Sequence, residues 1–214
     1  MTTFAILLGG NLTVSDRLKA SLSGARFIAA DGGMRHATAL NVVPELWVGD
    51  FDSAAEGLQE AWPDVPREPY PMAKAVTDGE IAVEAAISRG ATRLILVGAL
   101  GGERSDHALM HYFQAIALAD AGFQVALTSG HEEAWPLVAG TLSLDSPRGS
   151  LFSVMALTDL QGLTISNARY PLASFDLPFG SSRTLSNVAE GPVKISVVAG
   201  KAMVIARPDD FTGV

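Results

Sequence analysis

The sequence contains no cysteine, and charged residues make up only 18% of its 214 positions. The lack of cysteine excludes disulfides, thiolate nucleophiles and cysteine-ligated zinc. No apolar run approaches the roughly 20 residues that span a bilayer. The first residues lack a basic stretch and their apolar run is broken at Gly9-Gly10, so we interpret them as a strand rather than a signal peptide. We therefore expect a cytoplasmic protein without a membrane partner.

Basic charge is also scarce, with 15 Lys and Arg residues against 23 Asp and Glu residues and a formal net charge of −8. This balance gives no electrostatic footprint for nucleic acid. The hydrophobic fraction of 48% is enough for a sizeable core in one or two domains. An anionic substrate would need metal ions or a few well-placed cations.

Several familiar site motifs are missing from the chain. It has no Walker A sequence, no Gly-x-Gly-x-x-Gly and no Gly-x-Ser-x-Gly elbow. His107 and His111 have the spacing of two zinc ligands on a helix, but Ala108 stands where a metalloprotease has Glu. We interpret the two histidines as part of a helix face rather than as a zinc site.

The first 130 residues alternate short apolar runs with helical patterns, which indicates a parallel, Rossmann-like sheet with helices on both faces. Thr77 and Glu80 form a capping-box pattern that opens one of the helices. Strands are predicted at residues 4–8, 26–30, 45–48, 93–97 and 123–128, and helices at 15–22, 34–40, 54–61, 105–121 and from Thr77 to about Arg89.

The second half has a different rhythm, with short apolar runs between turn residues and no convincing helical period. This pattern predicts an all-β sandwich or barrel. Its predicted strands include residues 151–157, 163–165, 193–198 and 203–206. We therefore expect an α/β domain at residues 1–130 and a β domain at 131–214.

Glycine and aspartate follow the predicted parallel strands. The four strand ends are Gly9-Gly10-Asn11, Asp31-Gly32-Gly33, Gly49-Asp50-Phe51-Asp52-Ser53 and Gly98-Ala99-Leu100-Gly101-Gly102. Ligands of open α/β sheets bind beyond the carboxyl ends of the strands. Glycine allows a close approach of the backbone to phosphate. These residues therefore predict a phosphate-binding cleft.

Asp50 and Asp52 are two residues apart, so both carboxylates point the same way in an extended segment. With Asp78, they predict a site for Mg²⁺, which prefers oxygen ligands. The alternative for any one aspartate is a structural role: Asp52 or Ser53 would cap the next helix, and Asp78 would complement a helix dipole. Lys74 and Arg104 are candidates for contact with a triphosphate, although each could also be a solvated surface charge.

Taken in order, these motifs resemble those of the thiamine pyrophosphokinase family. The matching segments are Ala30-Asp31-Gly32-Gly33, Gly49-Asp50-Phe51-Asp52-Ser53, Lys74-x-x-Thr77-Asp78-x-Glu80, Gly98-Ala99-Leu100-Gly101-Gly102, Arg104-x-Asp106-His107 and Leu185-Ser186-Asn187. The resemblance covers nearly the whole chain and implies transfer of pyrophosphate from ATP to the hydroxyl of thiamine, giving thiamine diphosphate and AMP. It also implies a homodimer with thiamine sites between subunits.

The resemblance also implies a role for each matching residue. Asp50, Asp52 and Asp78 would carry Mg²⁺. Asp106 would lie near the metal or the phosphates, and the four aspartates together would form the catalytic set. Ser186 and Asn187 would contribute to thiamine or nucleotide binding. ATP would be bound by Asp31, Gly32, Gly33, Lys74, Thr77, Gly101, Gly102, Arg104 and His107.

Two other functions stay open at this point. The chain departs from the family pattern at Ala75, Glu103, His111 and Val188, and most of these positions concern the acceptor. A related pyrophosphokinase acting on another hydroxymethyl heterocycle, such as a pterin, would share the same metal and phosphate residues. A non-catalytic nucleotide-binding module would keep the cleft without turnover.

Overall fold

The computed structural model describes residues 1–51, 56–70, 76–102 and 104–213. The chain folds into two compact units. The first comprises Met1–His111 and Phe123–Gly130, and the second comprises Tyr112–Gly122 and His131–Val214. Across the described ranges, we find no helix that is both long and apolar enough to cross a membrane.

The first unit contains the predicted parallel sheet, with strand order β6-β5-β1-β2-β3-β4. Its strands are β1 (Thr3–Leu7), β2 (Arg26–Ala30), β3 (Leu46–Gly49), β4 (Arg67–Pro69), β5 (Arg93–Val97) and β6 (Gln124–Thr128). Along the chain, the helices between these strands are α1 (Asp16–Ser21), the 3₁₀ helix η1 (Asp31–Arg35), α2 (His36–Leu40), α3 (Glu56–Ala61), α4 (Asp78–Ser88) and α5 (Ser105–Asp120). Only the part of α5 up to His111 belongs to this unit. The predicted α/β architecture is confirmed.

Burial explains why these strands have continuous apolar sequences. Phe4–Leu7 and Leu94–Val97 are almost completely buried, because helices cover both faces of a parallel sheet. Trp47 of β3 is fully buried in one core cluster with Met34 and Val97. The short strand β4 was not predicted, since it ends in Pro69 at the sheet edge and offers little apolar pattern.

The second unit is built from long antiparallel strands. They are β7 (Glu133–Leu144), β8 (Leu151–Ala156), β9 (Leu160–Ala168), β10 (Leu172–Leu177) and β11 (Asn187–Arg207). Strand β11 pairs with β7 on one side, and with β9 and then β8 on the other. The predicted β-rich architecture is confirmed, but the runs at 193–198 and 203–206 belong to one strand rather than two.

A bulge in β11 lies where its partner on one side changes from β9 to β8. The register with β7 shifts between Val197 and Lys201. Gly200 lies in this interval with φ of 109°, and a Cβ there would stand 2.4 Å from the Asp159 carbonyl oxygen. This backbone conformation favours glycine. The change of partner lets β11 pack both β9 and β8 around one core that includes Phe152, Val154, Leu163, Ile195 and Val204.

Candidate active site

A cleft of about 820 Å³ opens in the first unit, in the size range of small-molecule sites. Its walls come from the residues that directly follow the parallel strands and from the first turns of two helices. They include residues 9–11 after β1, Asp31 and Gly32 after β2, Asp50 after β3, Gly98 after β5, residues 76–79 at the start of α4, and Arg104 and His107. The structure thus brings most predicted site residues of this unit to one surface.

Glycine allows these strand ends to pack backbone against backbone. A Cβ on Gly10 would lie 2.2 Å from the Gly98 carbonyl oxygen, and the Gly10 N–H donates to that oxygen at 3.1 Å. Gly33 is buried, and a Cβ there would lie 2.0 Å from the Leu7 carbonyl oxygen. Gly33, predicted to bind nucleotide, therefore belongs to the packing behind the cleft rather than to its lining.

Asp31 and Asp50 come together because the ends of β2 and β3 touch. Asp31 has a positive φ of 43°, which Asp tolerates better than most residues. Its carbonyl oxygen accepts a hydrogen bond of 2.9 Å from Nε1 of the buried Trp47. A Cβ on Gly49 would stand 3.3 Å from the Asp31 Cα, so the backbones are in close contact. Asp50 directly follows Gly49 and lines the cleft together with Asp31.

Asp78 reaches the cleft through the start of α4. The predicted capping box is present: Glu80 N–H donates to Thr77 Oγ1 at 3.2 Å, and Thr77 N–H donates to the Glu80 carboxylate at 3.0 Å. The box places the helix N-terminus, with Thr77 and Asp78, in the cleft wall. An anionic ligand is favoured there by the helix dipole.

Carboxylate oxygens are the ligands that suit Mg²⁺, and Asp31, Asp50 and Asp78 all line the cleft. Across the described ranges, no three acidic or histidine side chains are clustered closely enough to hold a metal ion by themselves. The predicted ligand Asp52 and the predicted phosphate contact Lys74 both lie outside the described residues. Asp50 and Asp78, the predicted metal ligands that the structure describes, are thus of the chemical type that suits Mg²⁺ and lie in the wall of one cleft.

Arg104, directly before α5, and Asp106, in the first turn of α5, form a bidentate ion pair. The Arg104 guanidinium donates to the two Asp106 oxygens at 3.0 and 2.7 Å. This bond holds the pKa of Asp106 well below its ordinary value and raises the pKa of Arg104. Both side chains are more than 60% exposed, so the pair contributes little to stability. Arg104 lines the cleft, and Asp106 orients it from outside.

Histidine rings support the backbone beneath the cleft. His111 Nδ1 donates to the Ala99 carbonyl oxygen at 3.0 Å, and His36 Nε2 donates to the Gly10 carbonyl oxygen at 2.9 Å. Burial lowers the pKa of both rings. His107 and His111 line the cleft, as neighbours on a helix face would. The role of His36 was not foreseen, although it follows the Asp31-Gly32-Gly33 motif closely.

Two family models cover most of the chain. The thiamin pyrophosphokinase catalytic domain matches residues 20–127, and the thiamin pyrophosphokinase vitamin B1 binding domain matches residues 135–202. The chain belongs to the thiamin pyrophosphokinase family. Its function is that of the family, thiamine pyrophosphokinase, and the sequence resemblance is confirmed. No curated protein sequence gives a significant match.

Solved structures of thiamin pyrophosphokinases share this fold. The Bacillus subtilis protein matches with a TM-score of 0.84 at 22% identity, covering 98% of this chain and all of that one. The Geobacillus thermodenitrificans protein gives 0.81 at 23% identity and covers both chains completely. The Candida albicans protein gives 0.80 at 12% identity, with 97% of this chain and 89% of that one covered. The fold is thus shared at low sequence identity.

The predicted substrate residues Ser186 and Asn187 lie in the second unit, within the match to the vitamin B1 binding domain. Ser186 is exposed with φ of 56°, and its N–H donates to Ser153 Oγ at 3.0 Å. Asn187 is buried and its amide is committed to the backbone. Its Oδ1 accepts from the N–H groups of Tyr170 and Val188, and its Nδ2 donates to the Tyr170 carbonyl oxygen at 2.9 Å. Asn187 thus joins two chain segments.

We expect Asn187→Ala to destabilise the protein by about 2 to 4 kcal/mol, because it removes three hydrogen bonds of a buried amide and takes the partner of the buried Val188 N–H away. Chemical denaturation would measure this change. Ser186→Ala is the matched control, since its side chain is exposed and its backbone bond is retained. Wild-type stability in Asn187→Ala would show that the buried hydrogen bonds do not hold this part of the fold.

Proposed function

We propose that the chain transfers the pyrophosphoryl group of ATP to the hydroxyl of thiamine, giving thiamine diphosphate and AMP. The proposal is carried by one observation: Asp31, Asp50 and Asp78 line the same cleft as the glycine backbone at the ends of parallel strands. Such a surface suits a polyphosphate with its cation, because the carboxyl ends of the strands are where open α/β sheets bind ligands. The family match supports both the reaction class and thiamine as acceptor.

Asp50 and Asp78 would hold Mg²⁺ together with Asp52. The cation would neutralise negative charge on the triphosphate and on the leaving group. The chain's net charge of −8 makes this help necessary, because acidic side chains would otherwise repel the nucleotide.

The remaining cleft residues would bind and orient the nucleotide. We assign Lys74, Arg104 and the Gly101-Gly102 turn to its phosphates. The Asp106 carboxylate holds the Arg104 guanidinium in one orientation, which reduces the entropy lost when a phosphate binds. The other contacts that we propose on the nucleotide side are Asp31, Gly32, Thr77 and His107. Gly33 would act through the packing behind them.

The reaction is a direct displacement at the β-phosphorus. The thiamine hydroxyl oxygen forms a bond to that phosphorus, and the bond from the β-phosphorus to the oxygen that joins it to the α-phosphorus breaks. That oxygen leaves with its electron pair as part of AMP, and the hydroxyl proton is released to solvent. Catalysis of this kind requires positioning and charge neutralisation rather than a covalent enzyme intermediate. The absence of cysteine and of a Gly-x-Ser-x-Gly motif is compatible with such a mechanism.

The acceptor side of the proposal depends on the second unit. We infer a homodimer in which Ser186 contributes to thiamine binding between subunits, and in which Asn187 fixes the backbone of that segment. We also propose a cytoplasmic location, where ATP is available as the donor.

The test is AMP formation from ATP and Mg²⁺ with purified protein. We expect AMP and thiamine diphosphate in equal amounts when thiamine is the acceptor, and no AMP with a hydroxymethyl pterin. AMP formation with the pterin alone would assign the protein to the alternative acceptor class. Nucleotide binding without AMP formation from either alcohol would identify a non-catalytic module.

A further inference from the structure

Arg35 lies in the cleft wall, and neither the sequence pattern nor the proposed set of phosphate contacts includes it. It is the last residue of η1, and its side chain is exposed. Its Nη2 donates to the carbonyl oxygens of Gly9 and Gly10, the second at 3.1 Å. Its Nη1 lies near Gly32, since a Cβ added to that glycine would be 3.6 Å from Arg35 Nη1. The guanidinium is therefore held against the strand ends that form the cleft.

The charge of Arg35 is not neutralised by its partners. In the described part of the chain, its hydrogen bonds go to backbone carbonyls, and none of the ion pairs there includes it. Arg104, the other arginine in the cleft wall, is paired with the Asp106 carboxylate. Carbonyl oxygens orient a guanidinium but carry no net charge. Arg35 therefore supplies positive charge to a cleft that also contains three aspartates.

We propose that Arg35 binds the phosphate chain of the donor nucleotide, an inference that rests on the proposed function. A guanidinium has five N–H donors in a rigid fork. The two carbonyls engage Nη2, which leaves the donors on Nε and Nη1 for phosphate oxygens. Because the side chain is already oriented, little rotamer entropy is lost on binding. Arg35 thus complements the aspartates, which hold the cation rather than the phosphate.

The alternative role is a purely structural one, in which Arg35 only holds the Gly9-Gly10 turn. Arg35→Gln separates the two roles, because a glutamine amide can still donate to these carbonyls but carries no charge. Arg67 offers a matched control. Its Nη2 also donates to two backbone carbonyls, those of Gln59 and Trp62, and it does not line the cleft. Arg67→Gln therefore removes the same charge and the same kind of anchor elsewhere in the unit.

The experiment measures binding of α,β-methylene-ATP with Mg²⁺ by titration calorimetry, and in parallel the KM for thiamine. We expect Arg35→Gln to weaken nucleotide binding by about ten- to a hundredfold, because hydrogen bonds to charged groups are stronger than neutral ones. The KM for thiamine and the thermal midpoint should stay within about twofold and a few degrees of wild type. Arg35→Lys should recover part of the affinity, and Arg67→Gln should bind like wild type.

Two results would overturn the assignment of Arg35 while leaving the proposed function in place. One is unchanged nucleotide affinity in Arg35→Gln. The other is a loss of nucleotide and thiamine affinity in equal measure with a lower thermal midpoint, which identifies a structural role. Absence of nucleotide binding by the wild-type protein would instead remove the proposed function, and the assignment with it.

Discussion

Asp50→Asn should reduce kcat/KM for pyrophosphoryl transfer by about a thousandfold or more while leaving the fold intact. The amide has nearly the shape of the carboxylate but lacks its negative charge, so it is a poor ligand for Mg²⁺. Stabilisation of transition-state charge by a bound cation is worth several kcal/mol, and each 1.36 kcal/mol is tenfold in rate. Asp50 lines the same cleft as Asp31 and Asp78. The loss of its charge would therefore weaken cation binding next to the reacting phosphates.

The rate should be measured as AMP release at several Mg²⁺ concentrations, with thermal unfolding in parallel. Asp64→Asn is the matched control, since Asp64 is an exposed aspartate of the same unit outside the cleft. It should retain the wild-type rate. A wild-type rate for Asp50→Asn at low Mg²⁺ would remove Asp50 from the metal site. The same substitution at Asp52 is expected to abolish turnover as well.

The parallel sheet could be predicted because its pattern is local. Each buried strand is a short apolar run, and most of these runs end in glycine or aspartate. Since the carboxyl ends of parallel strands lie at one edge of a sheet, Asp31 and Asp50 were expected in the same cleft. The capping box at Thr77 is equally local, and it predicted the start of α4 to the residue. The position of Asp78 in the first turn of α4 follows from this capping box.

Features that depend on tertiary contacts could not be predicted in this way. Arg35 and His36 bond the Gly9-Gly10 turn across a separation of 25 or 26 residues, which no local pattern reports. The hydrogen bonds between the Asn187 amide and the backbone of Tyr170, 17 residues earlier, are also outside any local pattern. The continuity of β11 likewise depends on the bulge at Gly200, whose turn-like sequence suggests two strands.

Gly33 packs against the end of β1, and the stability of the protein should depend on this close contact. Gly33→Ala should destabilise the protein by at least about 3 kcal/mol, at the upper end of the cost of overpacking. An added Cβ would lie 2.0 Å from the Leu7 carbonyl oxygen and 2.5 Å from its carbon. These are backbone atoms of β1, which pairs with both β2 and β5, so they cannot move away without breaking the sheet.

Gly32→Ala is the control for this prediction, because it places the same methyl group one residue earlier in the same 3₁₀ helix. Its Cβ would meet only Arg35 Nη1 at 3.6 Å, an ordinary contact with the end of a flexible side chain. Neither glycine has a positive φ, so the comparison isolates steric overlap from backbone strain. Urea denaturation should place Gly32→Ala within about 1 kcal/mol of wild type. Equal stability of the two variants would mean that β1 and η1 do not pack as closely as the cleft requires.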